Sequence, residues 1–143
     1  MDLDWEYSHK NISWEELSNL YSIAPLGKRE PKNLEKVFST SMFKCFVRDK
    51  GNIIGVGRAL ADGADCSYIC DVAVLPTYQG RGIGGDIVKK LIELSKGHKK
   101  IILYSSPGAE LFYKKLGFNR MSTAMAIFED QNKALETGLT NKT

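Results

Sequence analysis

Asp71-Val-Ala-Val-Leu-Pro-Thr-Tyr-Gln-Gly-Arg-Gly-Ile-Gly-Gly85 reads as a strand, a short turn, a glycine-dense loop and the opening of an amphipathic helix. Val72 to Leu75 is an apolar run rich in β-branched residues, and Pro76 ends it by removing a ladder donor. Gly80, Gly82, Gly84 and Gly85 leave their backbone N–H groups unshielded by side chains. From there Ile83, Ile87, Val88, Leu91 and Ile92 recur at helical spacing. Bare amides feeding a helix N-terminus form an anion site, because the orphan N–H groups and the helix dipole point the same way. Arg81 adds a fork of fixed positive charge. The alternative is a glycine turn without a ligand, but so many glycines beside an arginine carry a backbone-entropy cost that a phosphate ligand would explain.

Gly80-Arg-Gly82-Ile-Gly-Gly85 matches the dinucleotide fingerprint in its letters but not in its context. That fingerprint wants its first glycine directly after the strand and an acidic residue about twenty positions on. Here Pro76-Thr-Tyr-Gln79 intervenes, and the strand expected over Lys100 to Tyr104 has no Asp or Glu near its end. A Walker A loop needs Lys after the last glycine, where Asp86 stands. Gln79-x-x-Gly82-x-Gly84, after a strand ending in Val-x-Pro, resembles the acetyl-CoA signature of the GNAT superfamily of N-acetyltransferases. Phe112-Tyr-Lys-Lys-Leu-Gly-Phe118 is similar to that superfamily's F-Y-x-x-x-G-F motif. The resemblance runs from Asn52 to Phe128 and is nearest to small single-domain members. These are the glucosamine-phosphate N-acetyltransferases and the serotonin/arylalkylamine N-acetyltransferase-like group, with Glu16 to Tyr21 and Ile54 to Arg58 leaning to the second.

Length and composition agree with one domain. A chain of 143 residues can bury a real core, and no apolar stretch approaches membrane-span length. The acidic opening Met1-Asp-Leu-Asp-Trp-Glu6 has no apolar h-region, so a signal peptide is not expected and the location expected is cytoplasmic. Cys45, Cys66 and Cys70 are odd in number and read as reduced thiols in strands, and with only His9 and His98 in the chain no metal site is expected. The net charge of +3 is modest; Lys89, Lys90, Lys96, Lys99, Lys100, Lys114 and Lys115 read as solvated faces or as attraction for a polyanionic cofactor. No basic stripe interleaved with aromatics argues for nucleic acid, and neither a nucleic-acid nor a membrane partner is expected.

Hydrophobic periodicity and turn chemistry give the order of elements. Leu3 to Ser8 reads as a strand, and Ser13-Trp-Glu-Glu16 as a capping box opening a helix to Ile23. Pro31 starts a second helix through Leu34, Val37 and Phe38. Strands Phe43 to Arg48 and Ile53 to Ala61 join through Asp49-Lys-Gly-Asn52, and Asp62-Gly-Ala-Asp65 turns into the strand Cys66 to Leu75. After the phosphate-loop helix, which runs to Lys96 with Gly97 beyond it, come strand Lys100 to Tyr104, helix Pro107 to Leu116 and strand Phe118 to Phe128. The expectation is an α/β fold with a mixed, mostly antiparallel central sheet flanked by helices, as the acyl-CoA N-acyltransferase resemblance also implies. Residues 1–128 form the expected single domain, and 129–143 read as a polar mobile tail.

The resemblance implies acetyl-CoA as co-substrate and a primary amine of a small molecule as acceptor. It places the pantetheine arm on Val72, Ala73 and Val74, and the pyrophosphate on Gln79, Gly80, Arg81, Gly82, Ile83, Gly84 and Gly85. A backbone N–H of Val72 or Val74 would face the thioester carbonyl. Ser106 stands where the similar groups carry Asn or Asp against cofactor or substrate, and serine can hydrogen-bond there but cannot act as a base. Tyr113 falls where the family places the tyrosine that gives its proton to the coenzyme sulfur; packing on a short helix is its alternative. Asp71 interrupts an apolar strand, which is costly unless it is paired or used. It can serve as base, as substrate ligand, or in an ion pair with Arg58 or Arg48. Trp14, Tyr21 and Tyr104 line an acceptor pocket or fill the core. Arg120 is the one arginine near Met121 to Glu129, which favours an aromatic or aliphatic amine over a sugar phosphate. Without a Cys–His or Ser–His pairing, direct attack in a ternary complex is expected. Two other readings stay open: a non-catalytic acyl-CoA sensor, and an acetyltransferase of protein N-termini or lysines. A homodimer fits any of them.

Overall fold

Residues 2–142 are described by a computed structural model; Met1 and Thr143, the outer ends of the expected domain and tail, lie outside the described residues. The elements of the first hundred residues follow the order expected. They are β1 (Asp4–Glu6), α1 (Trp14–Ile23), α2 (Pro31–Ser39), β2 (Phe43–Asp49), β3 (Asn52–Ala61), β4 (Cys66–Val74), α3 (Ile83–Leu94) and β5 (Lys100–Ile102). The five-stranded sheet has the order β1-β2-β3-β4-β5, antiparallel throughout except for the parallel β4–β5 pair. Lys50 (φ 51°) and Gly51 (φ 84°) both take left-handed backbone, the two-residue turn that matches strand twist, and Asp49 pairs with Asn52 across it.

Alternation along β3 divides the core between the two faces of the sheet. Val56 joins Leu17, Leu20 and Tyr21 of α1, Leu34 and Phe38 of α2, Phe46 and Ala73 in one cluster. The residues on either side of it, Gly55 and Gly57, face α3 instead. A Cβ on Gly57 would lie 2.8 Å from Ile87 Cγ2 and 2.9 Å from Leu91 Cδ1. Glycine in this strand lets α3 seat directly on the sheet, with Ile83, Ile87, Val88 and Leu91 buried. A buried hydroxyl pair, Ser67 Oγ to Ser95 Oγ at 2.7 Å, ties β4 to the end of α3.

The helix caps explain where elements begin. Ser13 accepts from the Glu16 N–H at 3.2 Å, as expected, but Glu16 does not close the box: its Oε2 accepts from the Ile53 N–H at 3.0 Å. The register of β2 and β3 shifts beside that point, and the displaced strand amide finds its acceptor on α1.

The chain divides between Leu103 and Tyr104 into two compact units, where one domain over 1–128 was expected. The second unit carries α4 (Glu110–Lys115) and α5 (Gln131–Glu136). Helix α5 lies within 129–143, the stretch that the sequence shows as polar and without periodicity. Asp130 accepts from the Lys133 N–H at 3.0 Å, and Gly138 (φ 85°) lets Leu139 N–H donate to Ala134 O at 2.9 Å. Both ends of this six-residue helix are therefore capped. The strand expected over Phe118 to Phe128 is absent, because no neighbour supplies a ladder and the sheet order ends at β5. Among the described residues no helix is long and apolar enough to cross a membrane.

Filling the Gly57 gap tests the packing. Gly57→Val should lower unfolding free energy by about 1–3 kcal/mol, since β-branched Ile87 cannot swing aside. Urea denaturation followed by circular dichroism measures it; an unchanged midpoint would show that α3 does not seat on β3 as described.

Candidate active site

Strand β4 is interrupted where the sequence placed its one carboxylate. Val56 pairs with Ala73 but Arg58 with Cys70, so Gly57 faces both Asp71 and Val72. That is a β-bulge, and its first residue, Asp71, has φ 58°. Such backbone is unusual for a residue with a side chain, and aspartate is among the few that adopt it.

A set of side chains holds this conformation. Tyr21 Oη donates to Asp71 O at 2.7 Å. Arg29 Nη1 reaches Asp71 Oδ1 at 2.9 Å, and Arg58 Nε reaches Oδ2 at 2.7 Å. Arg58 Nη1 also donates to Ser41 Oγ at 3.1 Å. The guanidinium of Arg29 lies 4.6 Å from the centre of the Tyr21 ring. Burial works to raise the Asp71 carboxyl, but Arg29 and Arg58 outweigh it and hold the group below the usual carboxylate range. Burial, reinforced by the Asp71 charge, pushes the Tyr21 phenol well above its ordinary value, so it stays a donor. The ion pair with Arg58 was foreseen and the one with Arg29 was not; Arg48 pairs elsewhere, with Glu6.

From Ile69 onward one edge of β4 has no strand partner. The parallel ladder to β5 runs Cys66↔Lys100, Ser67↔Ile101 and Tyr68↔Ile102 and then stops, while β4 continues to Val74. Val72, Ala73 and Val74 thus lie on a stretch paired with β3 on one side only. Gln79 closes its end, donating from Nε2 to Val74 O at 2.9 Å. A one-turn 3-10 helix, Pro76–Tyr78, leads into the loop, and Tyr78 Oη donates to Asp49 Oδ2 at 2.5 Å. Gly80 (φ 79°) and Gly82 (φ 83°) turn the chain into α3, and a Cβ on either would meet no atom within 4 Å. Arg81 is exposed and lies 5.4 Å from the centre of the Tyr78 ring. Gly82 is the N-cap of α3, and the first intrahelical bond runs from Asp86 N–H to Gly82 O. Ile83, Gly84 and Gly85 then form the first helical residues, whose amides have no acceptor within the helix.

The second unit carries Tyr113 and Ser106. Gly117 (φ 103°) ends α4, with Gly117 N–H donating to Lys114 O at 3.1 Å and Phe118 N–H to Tyr113 O at 3.2 Å. This pairing is a Schellman cap, and its accompanying apolar contact is Phe118 against the Tyr113 ring at 6.0 Å. Phe112 stands edge-on to the same ring at 4.9 Å. The F-Y-x-x-x-G-F spacing is thus the capped end of a helix that fixes one tyrosine between two phenylalanines. Burial pushes the Tyr113 phenol above its ordinary value. Ser106 is exposed in the turn before α4, its carbonyl accepting from Ala109 N–H at 3.0 Å. Of the pocket candidates, Tyr21 is fully buried, Trp14 packs on Phe38, and Tyr104 is exposed.

A carboxylate bulge, an open strand edge and a glycine loop at a helix start thus follow one another along β4 and into α3. Residues 7–118 match the acetyltransferase (GNAT) family. An N-acetyltransferase of Pyropia yezoensis, itself uncharacterised, is 31% identical over 117 residues, 78% of this chain and 67% of the relative. A Staphylococcus aureus protein of unknown function superposes with a TM-score of 0.81 at 24% identity, covering 90% of this chain and 99% of the other. Glucosamine-6-phosphate N-acetyltransferase from Arabidopsis thaliana superposes with a TM-score of 0.70 at 18% identity, covering 91% and 100%. The two superpositions are likenesses of fold.

Replacing the carboxylate tests the bulge. Asp71→Asn should lower stability by about 2–3 kcal/mol at neutral pH, less than for a fully buried pair because Arg29 is partly exposed. The folded Asp71 pKa is depressed, so its contribution is complete above the unfolded value of about 3.9 and is lost as pH falls through the folded value. The gap between wild type and variant should be flat from about pH 6 to 8 and close below about pH 4. Chemical denaturation at several pH values measures this, and a gap unaffected by acid would place its origin elsewhere.

Proposed function

Because the chain belongs to the GNAT family of acetyltransferases, we propose that it moves acetyl from acetyl-CoA to the primary amine of a small molecule, by direct attack in a ternary complex. The observation that carries this reading is the end of the β4–β5 ladder at Tyr68, just upstream of the bulge and the glycine loop. The fit to the co-substrate rests on that open edge and on the unfilled space at Gly80 and Gly82. In this reading the backbone of Val72, Ala73 and Val74 binds the pantetheine amides. Gln79 to Gly85 hold the pyrophosphate, with Arg81 supplying charge, and Ser106 adds a hydroxyl contact. The co-substrate supplies an activated thioester acetyl group.

The chain's own groups then divide the remaining work. A strand N–H of Val72 or Val74 donates to the thioester carbonyl oxygen, where negative charge develops. Tyr113 gives its proton to the departing sulfur; its raised pKa keeps that proton in place at neutral pH. Both oxygens of Asp71 are engaged by guanidinium groups, so in this proposal Asp71 is a positioning residue that keeps the bulge open. The acceptor sheds one proton to solvent before attack and a second as the tetrahedral adduct collapses to the amide, and solvent returns a proton to the Tyr113 phenolate. Direct attack also accords with the thiols: burial pushes Cys70 up to about 11 and Cys45 up to about 12, which keeps both protonated and unsuited to carry an acyl group.

The test follows thiol release from acetyl-CoA with arylalkylamines, polyamines, glucosamine 6-phosphate and short peptides. Release with one small-amine class is expected. Tyr113→Phe should reduce its kcat by about 100-fold or more while coenzyme affinity by calorimetry stays unchanged. The rate should rise with pH from about 6 to 8 with the neutral fraction of the amine. Coenzyme binding without release from any acceptor would favour the sensor, and release with peptides alone would favour a protein acceptor. Gly82→Val, which forces a β-branched residue to φ 83°, should weaken coenzyme binding at least about tenfold.

A further inference from the structure

The glycine loop is open on the sides where its glycines would carry side chains. A Cβ on Gly80 or Gly82 would meet no atom within 4 Å, and both residues have positive φ. A loop so open takes its course from its two ends. Downstream it runs into α3, where Ile83 is buried. Upstream, bonds local to the strand shape the 3-10 turn. Tyr78 N–H donates to Leu75 O at 2.8 Å, Gln79 N–H to Pro76 O at 3.2 Å, and Gln79 Nε2 to Val74 O at 2.9 Å. The hydroxyl of Tyr78 reaches further, across 29 positions of sequence, to Asp49 at the end of β2.

Asp49 stands on a rigid support. It pairs with Asn52 across the β2–β3 turn, whose two central residues are left-handed, and Arg48 Nη1 braces that turn by donating to Gly51 O at 2.9 Å. Asp49 and Lys50 of the turn and Thr77, Tyr78 and Arg81 of the loop line one cavity of about 580 Å³. The Arg81 guanidinium lies 5.4 Å from the centre of the Tyr78 ring, a cation–π contact. The hydrogen bond to Asp49 pushes the Tyr78 phenol above its ordinary value, so it stays a donor. Charge alone makes Asp49 unfavourable to a polyanion bound nearby. Its hydrogen bond is what can favour one, by fixing the ring and, through the ring, the guanidinium.

We propose that Asp49 and Tyr78 are positioning residues for the coenzyme: Asp49 holds the Tyr78 ring, and the ring holds Arg81 and the start of the glycine loop where they meet the pyrophosphate. The inference rests on the acetyl-CoA reading for its ligand but not for its geometry. A loop ordered before its ligand arrives loses less conformational entropy on binding. With the tie cut, the binding-competent loop is one conformation among several, and apparent affinity falls in proportion to its share of the population.

Calorimetry with coenzyme A is the test. Tyr78→Phe keeps the ring and removes the donor, while Asp49→Ala removes the acceptor; each should weaken binding by about tenfold. Because the same bond is lost in either case, the double variant should bind no more weakly than the singles. Asp49→Asn keeps an oxygen that accepts from Tyr78 and should bind within about twofold of wild type. Were charge the cause, both Asp49 variants would bind more tightly than wild type. In turnover, the KM for acetyl-CoA should rise in Tyr78→Phe with kcat unchanged, because the pyrophosphate takes no part in bond making. Without any ligand, the amides of Gly80 to Gly85 should exchange with deuterium about tenfold faster in Tyr78→Phe. Equal affinity in wild type and Tyr78→Phe, additive effects of the two singles, or unchanged exchange would each overturn the proposal. A wild type that binds no coenzyme would overturn the acetyl-transfer reading, and the exchange measurement would still decide whether Asp49 and Tyr78 hold the loop.

Discussion

The ion pairs of Asp71 with Arg29 and Arg58 are the constraint on which the site depends. A bulge leaves one residue unpaired in the ladder, and left-handed backbone at a non-glycine residue costs of order 1–2 kcal/mol. Here the compensation comes from outside the strand. Arg58 projects from β3, Arg29 from the connection after α1, and Tyr21 from α1 itself, and all three converge on one residue of β4. The helical layer therefore fixes the sheet at one point, three residues past the end of the β4–β5 ladder at Tyr68.

A strand paired on both sides has no hydrogen-bonding groups to offer a ligand, whereas β4 after Tyr68 has one edge open. The same strand ends at Val74, and Pro76 to Gln79 deliver the chain to Gly80 and Gly82, whose positive φ values turn it into α3. In the proposed reading, extended backbone groups followed by a helix N-terminus would suit, in order, a ligand with amides along one part and phosphates at the next. Gly55 and Gly57 contribute from beneath: with no side chains there, α3 sits close on the sheet and its N-terminus stays beside the end of β4.

Much of this was legible in sequence because it rests on local chemistry. The Lys50-Gly51 turn, the Ser13 cap, Pro76 and the glycine loop each impose a backbone conformation that only certain residues accept. Asp71 was visible as a carboxylate in an apolar strand, and Arg58 as one of two candidate partners on a neighbouring strand. Arg29 was not visible, since it lies in an irregular connection where no periodicity says which way a side chain points. Helix α5 escaped notice because fewer than two turns cannot display a period; its signals were Asp130 before it and Gly138 after it. The opposite error fell on Phe118 to Phe128. Alternation reports the fitness of a segment to be a strand, while the strand itself needs a neighbour.

The charge balance beneath the bulge bears on how an amine could be made reactive there. Two guanidinium groups face one carboxylate, so the cluster keeps a net positive charge with Asp71 ionised. In the proposed reaction, an ammonium brought beside it would meet like charge. Like charge lowers the pKa of an amine, and lowers it more as water is excluded. An amine of ordinary pKa about 10 is neutral in roughly one molecule per thousand at pH 7, and each unit of depression raises that fraction tenfold. The pair of arginines can thus favour the nucleophilic form of the acceptor without a base that takes up its proton. On this argument the excess positive charge of Arg29 and Arg58, rather than the basicity of Asp71, would favour the neutral amine, and the paired carboxylate would hold the two guanidinium groups in place.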